Sequence, residues 1–149
     1  MSDQRIKNHA KLLVRYSIEA RKDETVGVSA GALAEPLVLA VYEELLKVGA
    51  FPVVRMSPDG LSELLFKHGK PRHFTTLQPY SLAYAKCVDK TITIYSQSNT
   101  KALSGAAPEK QRALSRAMSP VAEILTRKKW TLTLHPTAAY AQDAEMGLG

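Results

Sequence analysis

The chain has 149 residues, 45% hydrophobic and 23% charged, which is an ordinary globular composition with enough length to bury a core. No apolar run approaches the roughly 20 residues that cross a bilayer, no secretory signal opens the chain, and a single cysteine excludes a disulfide framework, so we expect a cytoplasmic protein without membrane contact. The net charge of +6 raises nucleic acid as a partner, but the basic residues are scattered along the sequence, which favours ordinary surface charge.

An amphipathic helix opens the chain, with Ser2 or Asp3 as its N-cap and its end at roughly Arg21. The stretch Thr25–Met56 then predicts a strand, an amphipathic helix and a second strand. Pro36 suits the first turn of that helix, where its missing N–H costs little. Because a strand that returns parallel to its predecessor needs such a crossover, this stretch is interpreted as a βαβ unit around which the chain is organised.

The second half of the chain alternates helices with strands of period two. Proline and glycine mark the breaks between these elements. In chain order we predict a helix over Leu61–Phe66, a helix within Phe74–Lys86 that is entered through Pro79 or just before it, and a strand over Lys90–Tyr95. These are followed by a helix from Pro108 with a kink or break at Ser119 before Pro120, a strand over Trp130–Leu134, and a short helix over Thr137–Ala144.

This order of elements predicts an α/β fold, with an open, mainly parallel sheet of about four strands and helices on both faces. We expect a three-layer arrangement of Rossmann or flavodoxin type, forming a single domain over 1–149. The last two strands, KTITIY and WTLTL, alternate threonine with apolar residues, whereas parallel strands buried on both faces are usually apolar throughout. We therefore expect that part of the sheet along these two strands is not covered on both faces by this chain, and that a missing or partner surface packs there.

Ligands of open α/β sheets bind beyond the carboxyl ends of the strands. The turn after the first strand, Gly27–Gly31, has neither a GxGxxG nor a GxxxxGK[ST] pattern, and Glu35 would repel a phosphate at the start of the next helix. Asn99 follows the third strand and His135 ends the fourth, and these two are the candidates for ligand or interdomain contact. Each has a simpler interpretation, Asn99 as the cap of a turn and His135 as a strand-end residue bonded to backbone.

Catalytic patterns are absent from the sequence. No two histidines stand at i,i+4 beside a carboxylate, as a zinc site would need, and GxSxG is missing. Glu43 and Glu44 are neighbours on a helix and point apart, which indicates a solvated face. Cys87 is interpreted as a small buried hydrophobic residue. We therefore predict no catalytic and no metal-binding residue in this chain.

The sequence contains three stretches that follow one another over essentially its whole length: DQRIKNHAKLLVRYSIEARKDETVGVSA, AEPLVLAVYEELLKVGAFPVV and WTLTLHPTAAYAQDAEM. Together they resemble the amino-terminal domain of the thermophilic metalloaminopeptidases, the aminopeptidase T and aminopeptidase S family. One departure is Asn99-Thr100, where that family is associated with asparagine followed by proline. The departure leaves the implied fold intact and argues against a role for this loop.

The resemblance implies an exopeptidase that releases amino-terminal residues from peptides with a pair of divalent ions, zinc or cobalt. The family's metal ligands lie in a larger carboxy-terminal domain, and the chain ends at Gly149 before any of it. We therefore expect a non-catalytic domain that is inactive alone, with that catalytic domain and peptides as partners and a homodimer for the full-length enzyme. The alternative is a stand-alone, flavodoxin-like module that binds a small ligand.

Overall fold

Helices and parallel strands alternate along the residues that the structure, a computed structural model, describes, namely 3–96 and 104–135. Asp3 caps the first helix by accepting a hydrogen bond from the backbone N–H of Arg5 at 3.0 Å. In chain order the elements are α1 (Gln4–Lys11), a π-helical segment (Leu12–Ser17), β1 (Thr25–Gly31), a 3₁₀ turn (Ala32–Ala34), α2 (Glu35–Lys47), β2 (Phe51–Ser57), α3 (Leu61–His68), α4 (Pro71–Thr75), α5 (Pro79–Cys87), β3 (Lys90–Tyr95), α6 (Pro108–Arg127) and β4 (Lys129–Leu134).

The four strands form one sheet in the order β2-β1-β3-β4, and every neighbouring pair is parallel. The predicted βαβ unit is confirmed as β1-α2-β2. From β2 the chain returns past β1 to β3, so the connections run outward in both directions from the centre of the sheet. The predicted α/β fold with an open parallel sheet is therefore confirmed.

One face of the sheet, called the α1–α2 face, carries the apolar core. Side chains alternate along each strand, so every second residue of β1 and β3 points to this face. The two helices cover it with apolar stripes at helical spacing. The cluster comprises Val26, Val28 and Ala30 of β1, Ile92 and Ile94 of β3, Ala10, Leu13, Val14 and Ile18 of the first helical region, and Ala34, Leu37, Val38, Ala40, Val41, Leu45 and Ala50 in and around α2.

The opposite face, called the α5–α6 face, is built around glycine and tyrosine. A Cβ on Gly27 would lie 2.9 Å from Cζ of Tyr84 and 3.2 Å from Cγ1 of Val88, so only glycine leaves room for α5 to approach. The guanidinium of Arg55 lies on the Tyr84 ring, 3.4 Å from its centroid, and donates to Ser29 Oγ at 3.1 Å. This face therefore packs through a few specific contacts.

Lys128, the residue after α6, holds that helix against the end of α5. Its ammonium donates to the carbonyl oxygens of Ala85 at 2.7 Å, of Lys86 at 3.1 Å and of Val88. The last carbonyls of a helix have no partners within it, and a cation there also interacts favourably with the helix dipole. One side chain thus joins the two helices of this face.

Two predicted helices were wrong in extent. The first is α-helical only to Lys11 and continues as the π-helical segment, whereas we predicted a helix to roughly Arg21. The predicted helix over Phe74–Lys86 is divided between α4 and α5, and its predicted entry at Pro79 is confirmed as the start of α5. The division follows from Pro79, which occupies the first turn of α5 and favours an extended conformation at the residue before it.

Of the kink or break predicted at Ser119, a break is wrong, because α6 continues through Pro120. Packing of α6 against α4 and α5 outweighs the local preference of proline to end a helix. The predicted short helix over Thr137–Ala144 lies outside the described residues. None of the described helices combines the length and apolar character needed to span a bilayer.

Candidate functional site

The strand order creates a topological switch point between β1 and β3, which is where ligands of such sheets bind. Gly31 ends β1 there, and Ser96 follows β3. Ser96 is buried, and its Oγ lies 2.6 Å from the position that a Cβ on Gly31 would take, with its backbone carbonyl also in contact. Within the described part of the chain, Ser96 therefore packs directly against Gly31 at the switch point.

Of the two candidate site residues, His135 is described and Asn99 lies outside the described residues. His135 is half-buried at the end of β4, and its backbone N–H donates to the carbonyl oxygen of Tyr95 at 2.8 Å. Burial, and secondarily the charge of nearby His9, lower the pKa of its imidazole below 6.5. This geometry matches the strand-end interpretation, and contact of either residue with a ligand or another domain stays a prediction.

The structure brings together two histidines that the sequence keeps apart. Nε2 of His9 on α1 lies 3.0 Å from Oγ1 of Thr133 on β4, and burial lowers the pKa of this imidazole too. His135 lies close enough to His9 for the charge of His9 to lower the pKa of the His135 imidazole further. The proximity of His9 to His135 could not be predicted from periodicity in the sequence, because it depends on how α1 crosses the sheet. Both rings favour the neutral form.

The divalent ions implied by the resemblance do not fit these residues. A two-metal site needs several carboxylates and histidines that converge on one point. Over residues 3–96 and 104–135, no group of three histidine, cysteine, aspartate or glutamate side chains is placed to hold a metal ion. We therefore derive no metal-dependent step from the described residues.

Glu43 and Glu44 differ in their surroundings, although they are neighbours. Glu43 is exposed and pairs with Lys47 at 3.0 Å, as a solvated face predicts. Glu44 is buried and pairs with Nε of Arg15 at 3.0 Å, so the prediction was wrong for this residue. Burial is the largest influence on the pKa of Glu44 and raises it, but Arg15 and Lys47 together outweigh burial and hold the pKa below 4.5. The Glu44 carboxylate links α2 to the π-helical segment.

The interpretation of Cys87 as a buried residue was wrong as well, because this cysteine is exposed. It is the last residue of α5 and is turned away from the side that buries Tyr84 and Ala85. The apolar character of a cysteine did not predict its burial here, because the end of this helix lies at the surface. The exposed thiol has no described contact that indicates a catalytic role.

The structure also gathers basic residues that are scattered in the sequence. Helix α4 packs along α6, and Nζ of Lys110 donates to the carbonyl oxygen of Phe66 at 3.2 Å while lying 5.5 Å from the Phe74 ring centroid. Residues 61–75 and 108–117 carry six lysines and arginines and two glutamates, so they hold four of the six net positive charges. We call this region the basic surface. It consists of Lys67, Lys70, Arg72, Lys110, Arg112 and Arg116.

Comparisons with known proteins agree with the resemblance seen in the sequence. The structure is similar to that of wild-type AmpT from Thermus thermophilus, with a TM-score of 0.75 and 22% sequence identity, over 93% of this chain and 38% of that chain. At this identity the likeness shows the fold, and this chain spans well under half of the AmpT chain. No curated protein matches the sequence. The family model of the thermophilic metalloproteases (M29) matches residues 2–148, and the chain therefore belongs to that family.

Proposed function

We propose that this chain is the amino-terminal, non-catalytic domain of a cytoplasmic metalloaminopeptidase that releases amino-terminal residues from peptides. The observation that carries the proposal is the family match over residues 2–148, in a chain that spans only 38% of AmpT. The family model covers nearly the whole of this chain, whereas this chain covers a small share of AmpT. These two coverages together support the proposal that the chain corresponds to one part of a longer protein. The divalent ions and their ligands then belong to the remaining part.

The partners of the chemically interesting side chains support a structural role. The carboxylate of Glu44 is neutralised by Arg15, and the imidazole of His9 contacts Thr133. Arg55 is held between the Tyr84 ring and Ser29. Each of these groups joins two elements of the fold. In the proposal the chain contributes a scaffold, and peptides are bound and cleaved elsewhere in the enzyme.

The basic surface suits an acidic partner within the same enzyme. A two-metal centre is built largely from carboxylates, so the part that holds it is expected to bear negative charge. Attraction between exposed charges weakens with ionic strength, because the screening length falls to about 8 Å at physiological salt. Binding of this chain to a separately expressed catalytic part should therefore weaken as salt is added. Salt-independent binding would contradict this use of the basic surface.

The proposal is tested by hydrolysis of a leucyl chromogenic substrate with cobalt or zinc added to the purified chain. We expect no turnover above that of metal and substrate alone, with AmpT as the positive control. Metal-dependent turnover that scales with the concentration of the chain and is abolished by a chelator would show that the chain is catalytic by itself.

The alternative, a stand-alone module for a small ligand, has less support. Its expected binding position is the switch point between β1 and β3, and there the buried Ser96 packs directly against Gly31. A ligand that binds only the folded state raises the unfolding temperature. A clear rise with a nucleotide or flavin would favour this alternative over the peptidase scaffold.

A further inference from the structure

The edge strand β4 presents its large apolar side chains to solvent. Trp130, Leu132 and Leu134 alternate along β4, share one face of the sheet and are 54%, 48% and 54% exposed. Tyr95 of β3 pairs in register with Leu134 and is 45% exposed, so it extends the same row. We call these four residues the β4 strip. It lies on the α5–α6 face, in register with Thr91 and Thr93 of β3.

The register explains why this row is not part of the core. Ile92 and Ile94 of β3 stand opposite Thr131 and Thr133 of β4, so the apolar sides of the two strands face in opposite directions. The isoleucines are buried on the α1–α2 face, while the apolar side of β4 turns away from it. Parallel sheets normally have both faces covered, and a continuous exposed apolar patch marks an interaction surface.

We propose that the β4 strip is the docking surface for the catalytic part of the same peptidase, which covers it with the apolar side of a helix. This inference rests on the proposed function. More than half of the AmpT chain has no counterpart here, which supplies the polypeptide that would dock. The chain leaves β4 at Leu134, so polypeptide that follows starts beside the strip. A helix is the expected occupant because helices are what cover the faces of parallel sheets.

The strip supplies its own probe, because Trp130 is the only tryptophan of the chain. The binding partner for the test is the catalytic part of the same peptidase, expressed separately in a tryptophan-free form. On binding, the emission of Trp130 should shift to shorter wavelength and its quenching by acrylamide should fall, since docking removes the indole from water.

A matched pair of double variants identifies the surface. Leu132→Thr with Leu134→Thr keeps strand propensity and removes two of the four apolar side chains of the strip, so binding should weaken roughly tenfold or more. Leu39→Gln with Leu46→Gln removes two leucines of α2 that are 62% and 54% exposed, so the two pairs are similar in exposure. This control should bind like the unaltered chain. Circular dichroism establishes that both variants are folded.

Several outcomes would overturn the inference. Absence of a complex would do so, as would a complex in which Trp130 stays quenchable and both double variants bind equally. A Trp130 that is already shielded from acrylamide in the chain alone would also overturn the inference. If removing residues 136–149 abolishes that shielding, the occupant is the chain's own segment. If the shielding rises with protein concentration, the occupant is a second copy of the chain. Failure of the proposed function shows separately, as hydrolysis by the chain alone.

Discussion

The two faces of the sheet are packed by different kinds of contact. The α1–α2 face buries a continuous set of aliphatic side chains from two strands and two helices. The α5–α6 face relies on Gly27, on the Arg55 and Tyr84 stack and on Lys128, and it leaves the β4 strip exposed. The first face has a continuous buried core and leaves only the edge strand β2 exposed there, at Val54 and Met56, whereas the second has specific anchors and an apolar row on β4 that the described residues leave uncovered. The β4 strip on the second face is therefore the surface that we propose for docking of the catalytic part.

The two faces should differ most in how much the free energy of unfolding falls when an aliphatic side chain is removed from each. Ile92 is fully buried on the α1–α2 face, so Ile92→Ala should lower the free energy of unfolding by about 2–5 kcal/mol. Leu132→Ala, in the β4 strip, should change it by about 0.5 kcal/mol, because the side chain is half exposed in the isolated chain. Urea denaturation of both variants measures the comparison. Equal losses would show that the strip is covered by the chain itself.

A smaller effect is expected where α5 meets β1. Gly27→Ala should lower the free energy of unfolding by about 1–3 kcal/mol, because the added methyl overlaps Tyr84. Gly105→Ala is the control, since a Cβ there meets nothing within 4 Å. The Tyr84 hydroxyl is buried without a hydrogen-bond partner among the described residues, so Tyr84→Phe should be tolerated and should recover part of the loss in the Gly27→Ala background. A harmless Gly27→Ala would contradict the close packing of this face.

The smallest effect concerns acid stability of the α1–α2 face. The folded-state pKa of Glu44 is held below 4.5, so at acid pH the unfolded chain binds more protons at this position than the folded chain. Ionised Glu44 therefore adds to the free energy of unfolding above about pH 4.5, and this stabilisation is lost as the pH falls through the folded-state pKa. Glu44→Gln should flatten the pH dependence of stability in this range. Glu43→Gln, which alters the exposed neighbour, should leave most of it in place, and equal effects would argue against the buried ion pair.

The elements that were predictable from sequence are those set by local periodicity. The βαβ unit over Thr25–Met56 and the strand Lys90–Tyr95 follow from apolar spacing and from proline and glycine at their ends. Long-range partners were not predictable, and the burial of Glu44 depends on Arg15 from another helix. The β4 strip shows the limit most clearly. Alternation in WTLTL predicts a strand with one apolar side, but only the register with β3 decides which face that side takes.

The candidate site residues were less predictable than the fold. His135 follows β4 as predicted, yet its proximity to His9 depends on the crossing of α1 over the sheet. Asn99 lies outside the described residues. The family resemblance is what led to the prediction that the metal ligands lie in another part of the enzyme. Composition and spacing alone did not lead to that assignment.

The most direct test of the claim that this chain is a non-catalytic scaffold is its metal content. The purified chain is dialysed to equilibrium against zinc and, separately, against cobalt, and the bound ions per chain are then measured with AmpT in parallel. We predict that this chain retains no stoichiometric amount of either metal. Two tightly bound ions per chain would place a two-metal centre within these 149 residues and would contradict the scaffold role.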